Sequence, residues 1–245
     1  MLDIVNALVL ATTPQADRGF VAHCYTLERG RLSLLARSGR SPVDRTALMG
    51  YMKPLSILKL SYTPSPHPEH LHPIHDVEDW VNLAPLYRHP LKAALAAFMA
   101  EVGFRLFTLP TPQPDYYHFL LEAVQRLAQV QTPSRLFHDD FLLELACLLG
   151  FAPRGCYSDA TPAFSLREGC FCAPGARDNL QLPPSLGALW QRLLLQGYRA
   201  KAEGASTETL KALTESLLDY IAYHAGVQLK VNSLPLLEAL LLLEQ

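Results

Sequence analysis

The sequence predicts an α+β protein: a five-stranded β-barrel over residues 1–80, followed by an α-helical domain over 81–245. Three observations predict it. Hydrophobic residues make up 49% of the 245 and charged residues 18%, enough apolar material for one large core or two smaller ones. Up to about residue 80 the chain alternates short leucine-rich or β-branched runs with Pro and Gly, the pattern of strands and turns. From about residue 88 the apolar period becomes helical.

The predicted strands are residues 7–12, 19–26, 31–37, 55–62 and 71–77, separated by Pro14, Gly30, Gly39, Pro42, Pro64 and Pro66. Five short strands in so little chain suit a barrel of the oligonucleotide-binding (OB) type, since a sandwich usually needs about seven. Strand alternation in RLSLLAR puts Leu32, Leu34 and Ala36 on one face and Arg31, Ser33, Leu35 and Arg37 on the other. Arg31 and Arg37 are therefore expected on the same side of the sheet.

In the second domain, Leu91, Leu95, Phe98, Val102 and Leu106 form one helical stripe. Asp115 precedes another, through Phe119, Ala123, Val124 and Leu127. Thr132-Pro133 reads as a helix start and Gly150 as a stop. Ser206 is a predicted N-cap for a stripe of Leu210, Leu213, Leu217 and Tyr220 ending near Gly226. Further helical pieces are expected at 184–197 and 233–243.

Net charge is −2, but it is unevenly spread. Between Arg18 and Lys59, eight basic residues (Arg18, Arg29, Arg31, Arg37, Arg40, Arg45, Lys53 and Lys59) face only Glu28 and Asp44, an excess of about six positive charges. Such asymmetry suits an anionic partner at one end of the molecule, and equally a solvated strand surface. Phe20, Tyr25, Tyr51 and Tyr62 are interspersed with these cations. Aromatic faces for bases and cations for phosphates are the two components of single-strand binding on OB folds, although barrel aromatics also serve as core and the parity of Tyr62 with Leu58 and Leu60 favours core for it.

Other classes are disfavoured. No GxSxG, phosphate loop or HExxH occurs, which points away from an enzyme. No apolar run reaches the roughly 18 residues of a membrane span, and MLDIVNALVLATT lacks the basic start of a signal peptide. Five cysteines, an odd number, suit a reducing compartment, so cytoplasm is expected. The histidines His67, His70, His72 and His75 could offer metal ligands, but flanking prolines and the DVED continuation favour an exposed strand and loop.

The segment VLATTPQADRGFVAHCYTLERGRLSLLARSGR resembles the N-terminal OB domain of the RecO family of recombination mediators. Thr26, Gly30, Arg31, Ala36, Arg37 and Arg40 occupy positions of the family's T-x-x-x-G-x-L/V-x-x-x-A-K/R segment and the arginine after it. Leu149, Gly150, Phe151 and Pro153 resemble its L-G-Y/F-x-P helix end. The resemblance implies a bacterial, nucleoid-associated DNA-repair factor without catalysis and without a cofactor. It would bind single- and double-stranded DNA, anneal strands and, with RecR, help load the recombinase RecA onto strands coated by single-stranded DNA-binding protein. Family position and strand parity together make Arg31 and Arg37 the expected centre of the DNA surface, joined by Arg40 on position alone. Arg18, Arg45, Lys53 and Lys59 are weaker candidates.

Many members carry a four-cysteine zinc module after the L-G-Y/F-x-P segment. Here the region near 152–182 offers Cys156, Cys170 and Cys172, without paired C-x-x-C knuckles or a fourth cysteine. A degenerate module without zinc is expected. Some relatives grip the acidic tail of single-stranded DNA-binding protein through arginines before a phenylalanine matching Phe141. His138, Asp139 and Asp140 stand there instead, so weak tail binding is expected, with Lys92, Arg105, Arg126 or Arg135 as alternative cations. The competing reading is a helical scaffold whose barrel binds a protein.

Overall fold

The structure, a computed structural model, describes residues 2–15, 19–37, 48–65, 71–79, 81–175 and 180–243. Arg18, Arg40, Arg45, His67 and His70 lie outside the described residues, and for Arg37 only the backbone is described.

The barrel is built from β1 (Asp3–Gln15), β2 (Gly19–Thr26), β3 (Gly30–Arg37), β4 (Ile57–Tyr62) and β5 (His72–Asp79). It closes in the order β1-β2-β3-β5-β4, with β3 and β5 parallel and the other pairings antiparallel. This is the predicted OB-type barrel. Closure leaves no free sheet edge and turns alternate residues inward. Val5, Ala7, Val9, Phe20, Ala22, Cys24, Leu32, Leu34, Ala36, Leu58, Leu60 and Tyr62 fill the interior. β1 is longer than predicted, from Asp3 rather than Ala7, and bulges between Val9 and Ala11. Leu55 is not in a strand. It sits in a turn at φ +60°, fully buried, and its N–H donates to the Val9 carbonyl at 2.7 Å, beside that bulge.

Helices α1 (Ala84–Tyr87), α2 (Pro90–Leu106) and α3 (Pro114–Gln129) follow. α2 and α3 pack on β1, and the closing helix α7 (Leu234–Leu243) packs on α2. These elements and the barrel form one compact unit, built from chain segments 1–131 and 231–245. The predicted division at residue 80 thus differs from the compact units. The physical reason is apolar surface outside the barrel. Leu8, Leu10, Tyr25 and Ile57 are buried but are not part of its interior cluster. A Cβ at Gly103 of α2 would meet Leu10 and Leu120, and Tyr25 packs on Phe107 and Tyr116.

The second unit, 132–230, holds α4 (Phe137–Leu148), a small sheet of β6 (Ala163–Ser165), β7 (Cys170–Cys172) and β8 (Gln181–Leu182), then α5 (Pro184–Gln196) and α6 (Thr207–Ala225). α4 starts after the predicted Thr132-Pro133, because residues 135–136 form a turn closed by the Phe137 N–H on the Ser134 carbonyl. Its end matches the prediction. Gly150 takes φ +88°, its N–H donates to Cys147, and the Phe151 N–H donates to Ala146. These paired bonds are a Schellman stop, which accounts for the L-G-F sequence. At α6 the Ser206 hydroxyl accepts from the Thr209 N–H, the predicted cap. Phe164 of β6 stacks on Trp190 at 4.3 Å and meets Phe171 and Tyr220 edge-on, so an aromatic cluster holds the segment expected to be a degenerate module.

Candidate nucleic-acid interface

Among the described residues, the predicted cations divide into committed and exposed groups. Arg31 leaves the barrel wall on the side that α2 covers. Its Nη1 donates to the Phe104 carbonyl at 3.0 Å, and its guanidinium lies 4.0 Å over the Phe104 ring. Phe104 is in the last turn of α2, where carbonyls lack helical partners, so Arg31 acts as a C-terminal cap. Burial lowers its pKa to about 10. The same burial, then the Arg31 charge, lowers the pKa of neighbouring His23. Arg31 is therefore half-buried and engaged by α2, less open to solvent than a cation at the centre of a DNA surface would be. Strand parity fixed the side it leaves from but not what covers that side.

The adjoining motif residues share this work. The Thr26 hydroxyl donates to the Gly30 carbonyl at 3.0 Å and accepts the Arg29 N–H, closing the β2–β3 turn. Gly30 has φ +65°, and the Arg31 N–H donates to Leu109 at 3.0 Å. A Cβ on Gly30 would run into the Thr111 carbonyl and come within 2.9 Å of that of Leu109. Only glycine lets the α2–α3 loop approach so closely. Arg29 pairs with Asp3 at 2.9 Å.

Lys53 and Lys59 are exposed. Lys59 alternates with the inward Leu58 and Leu60, so it faces out of the barrel, opposite Asn6 on β1 and Glu78 on β5. Lys53 lies before β4, with Nζ 4.9 Å over the ring of Tyr87. Tyr87 lies in α1, beyond the predicted barrel, and no local sequence pattern marked it. Among the four interspersed aromatics, Phe20 and Tyr62 point into the barrel and Tyr25 packs under α2 and α3. Tyr51 is 41% exposed.

The alternative tail cations are less available than expected. Lys92 is buried, and its ammonium donates to the carbonyls of Ala128 and Val130 at the end of α3. Arg105 binds Glu101 at 2.8 Å. Arg126 and Arg135 are half-buried, and Arg135 Nε has no hydrogen-bond partner. Asp139 and Asp140 are not surface carboxylates, which corrects the expectation of a repelling pair. Asp139 is 0% and Asp140 3% exposed. The Thr214 hydroxyl of α6 donates to Asp139 Oδ1 at 2.7 Å, and His138 Nε2 lies 3.0 Å from the same hydroxyl. Burial raises the Asp139 pKa, with His138 and Thr214 opposing it in part.

Among the described residues, no group of three or more His, Cys, Asp or Glu side chains is placed to hold a metal. Cys156 is exposed, and the Gln181 amide donates to Cys172 Sγ at 3.0 Å. His72 accepts the Ser65 N–H, and His75 Nε2 lies 2.6 Å from the Thr63 hydroxyl. Cys24 is enclosed in the barrel, where burial pushes its thiol up to about 12. Among the described residues no helix is long and apolar enough to cross a membrane.

Residues 88–233 match the family model described as recombination protein O C terminal. The chain is 24% identical over 230 residues to the DNA repair protein RecO of Porphyromonas gingivalis, covering 91% of this chain and 93% of that one. It is 28% identical over 174 residues to the DNA repair protein RecO of Phocaeicola vulgatus, covering 70% and 67%. A third relative is the DNA repair protein RecO of Chlorobaculum parvum, 24% identical over 256 aligned positions and covering 92% and 94%. A closed five-stranded barrel, helices after it, and a family match across more than half of the chain agree: the chain belongs to the RecO family of DNA repair proteins.

Proposed function

We propose that this protein is a non-catalytic mediator of DNA repair by homologous recombination, working in the bacterial cytoplasm at the nucleoid. It binds single- and double-stranded DNA, anneals complementary strands and, with RecR, helps load the recombinase RecA onto strands coated by single-stranded DNA-binding protein. The observation that carries this reading is the family match over residues 88–233, joined to an OB-type barrel whose stretch 18–59 carries an excess of about six positive charges. Annealing requires two phosphate backbones to be neutralised while base edges stay free, which cations on a barrel surface do without reading sequence.

Among the described residues the cations suited to that task are Lys53 and Lys59, and Arg18, Arg37, Arg40 and Arg45 are further candidates by their place in the basic stretch of the sequence. Arg31 contributes by holding the barrel to α2. Because Lys92 and Arg105 are engaged internally, recruitment to coated strands relies more on DNA and RecR than on the acidic tail. Arg126 and Arg135, both half-buried, are the remaining candidates for that tail.

The test is fluorescence anisotropy with labelled single- and double-stranded DNA across a salt series, followed by an annealing assay with complementary strands. Steep salt dependence is expected. Lys53→Ala and Lys59→Ala should each lower the salt slope by about 1, with similar loss on every DNA sequence. Absence of DNA binding at low salt would overturn the reading in favour of a protein-binding barrel.

A further inference from the structure

Beside the barrel, between the turn at residues 50–56 and the start of α1, lies an open cleft of about 240 Å³. Tyr51, Lys53, Ser56, Leu83 and Tyr87 line it. Sites for whole small ligands occupy roughly 300–1,000 Å³, so this cleft suits a single planar ring system. Its far wall is fixed: the Tyr87 hydroxyl donates to the Pro54 carbonyl at 2.8 Å and lies 3.4 Å from the Ser56 hydroxyl. Lys53 holds its ammonium 4.9 Å over the Tyr87 ring. Tyr51, on the near side, is 41% exposed.

We propose that this cleft takes one unstacked base of single-stranded DNA, with the base lying against Tyr51 and Lys53 meeting the adjoining phosphate. The inference rests on the DNA-binding reading above and adds a base-dependent component to it. Three features favour this occupant. Tyr51 offers an aromatic face to solvent, whereas Phe20, Tyr25 and Tyr62 are spent inside the fold. Lys53 stands beside it as an exposed cation in the most basic part of the chain. The Ser56 hydroxyl, beside that of Tyr87, adds hydrogen-bonding groups to the aromatic and apolar parts of the wall. Stacking on an aromatic ring tolerates any base, because every base has a π-face. A paired base inside a duplex cannot enter, so the cleft favours single strands over duplex at equal phosphate charge.

The test compares anisotropy titrations of the full chain with an oligo-thymidylate and with an abasic oligonucleotide of the same length and charge. The parent should bind the thymidylate about fivefold more tightly or better, the lower end of what one stacked base contributes. Tyr51→Ala should abolish that preference and leave the salt slope unchanged, whereas Tyr51→Phe and Tyr51→Trp should keep it. Equal binding of both oligonucleotides with steep salt dependence overturns the cleft and leaves the general DNA-binding reading standing. Binding of neither overturns both. A base preference that survives Tyr51→Ala also overturns this placement.

Discussion

Replacing Arg31 with alanine removes a charge-assisted hydrogen bond to the Phe104 carbonyl and a cation–π contact with the same residue. The first is worth roughly 1.5–3 kcal/mol and the second roughly 0.5–2 kcal/mol, with overlap between them. Arg31→Ala should therefore lower unfolding stability by about 2 kcal/mol, read as a lower urea midpoint at unchanged m-value. The salt slope of DNA binding should stay that of the parent, and a drop by a full unit would return Arg31 to the DNA surface. Asp139 gives the second residue-scale prediction. Burial raises its folded pKa above the unfolded value, so the folded state holds the proton more tightly. The stability this contributes is complete below the unfolded pKa and is lost as pH rises through the folded one. Asp139→Asn, which retains an acceptor for Thr214, should gain on the parent as pH is raised from 4 to 8. A stability difference that does not change with pH would show that Asp139 titrates normally.

At the scale of elements, a carboxylate in α2 starts the last helix. Glu101 accepts the N–H groups of Asn232 and Ser233 and the Ser233 hydroxyl, while Arg105 steadies it from the next turn. Burial alone would raise its pKa, but the Asn232 N–H, Arg105 and Ser233 outweigh burial and hold it below the usual carboxylate value. Glu101→Ala should cost about 1–3 kcal/mol, comparable to losing a cap plus an internal hydrogen bond. The lowered pKa means this contribution is present above the unfolded pKa and disappears as pH falls through the folded one. Parent and variant should thus converge in acid, and a gap that persists at low pH would refute the cap. This element was hard to read in advance because its partner lies 131 residues away. Features with local chemistry were legible: the Ser206 cap, the Gly150 stop and the inward alternation of Leu32, Leu34 and Ala36. The three-residue strands β6 and β7 were not, since aromatic packing on Trp190 holds them rather than any periodic pattern. The candidate site divides similarly. Basic charge and Tyr51 could be read from sequence, whereas the engagement of Arg31 and Lys92, and the approach of Tyr87 to Lys53, arise from distant chain segments.

For the whole molecule, the chain leaves the barrel-bearing unit at residue 131 and re-enters it at 231. The barrel therefore belongs to a unit that is completed only by the last residues, although its strands end by Asp79. A chain of residues 1–80 would expose Leu8, Leu10, Tyr25 and Ile57, which the intact protein buries. Small domains bury a smaller share of their surface, so that loss is severe. Residues 1–80 alone should show no cooperative unfolding transition. A milder cut tests the same logic. A chain ending at residue 230 loses Leu237, fully buried in α7, and the groups that Glu101 caps. Burial of one leucine contributes roughly 1.5–3 kcal/mol and a cap about 1 kcal/mol, so about 2.5–4 kcal/mol should be lost. Native-state hydrogen exchange locates that loss. Amides of α2 and of β1 beneath it should exchange faster in the shortened chain, while those of α4 and α6 keep their protection. Faster exchange confined to 132–230, with α2 and β1 unchanged, would overturn this role of the closing helix.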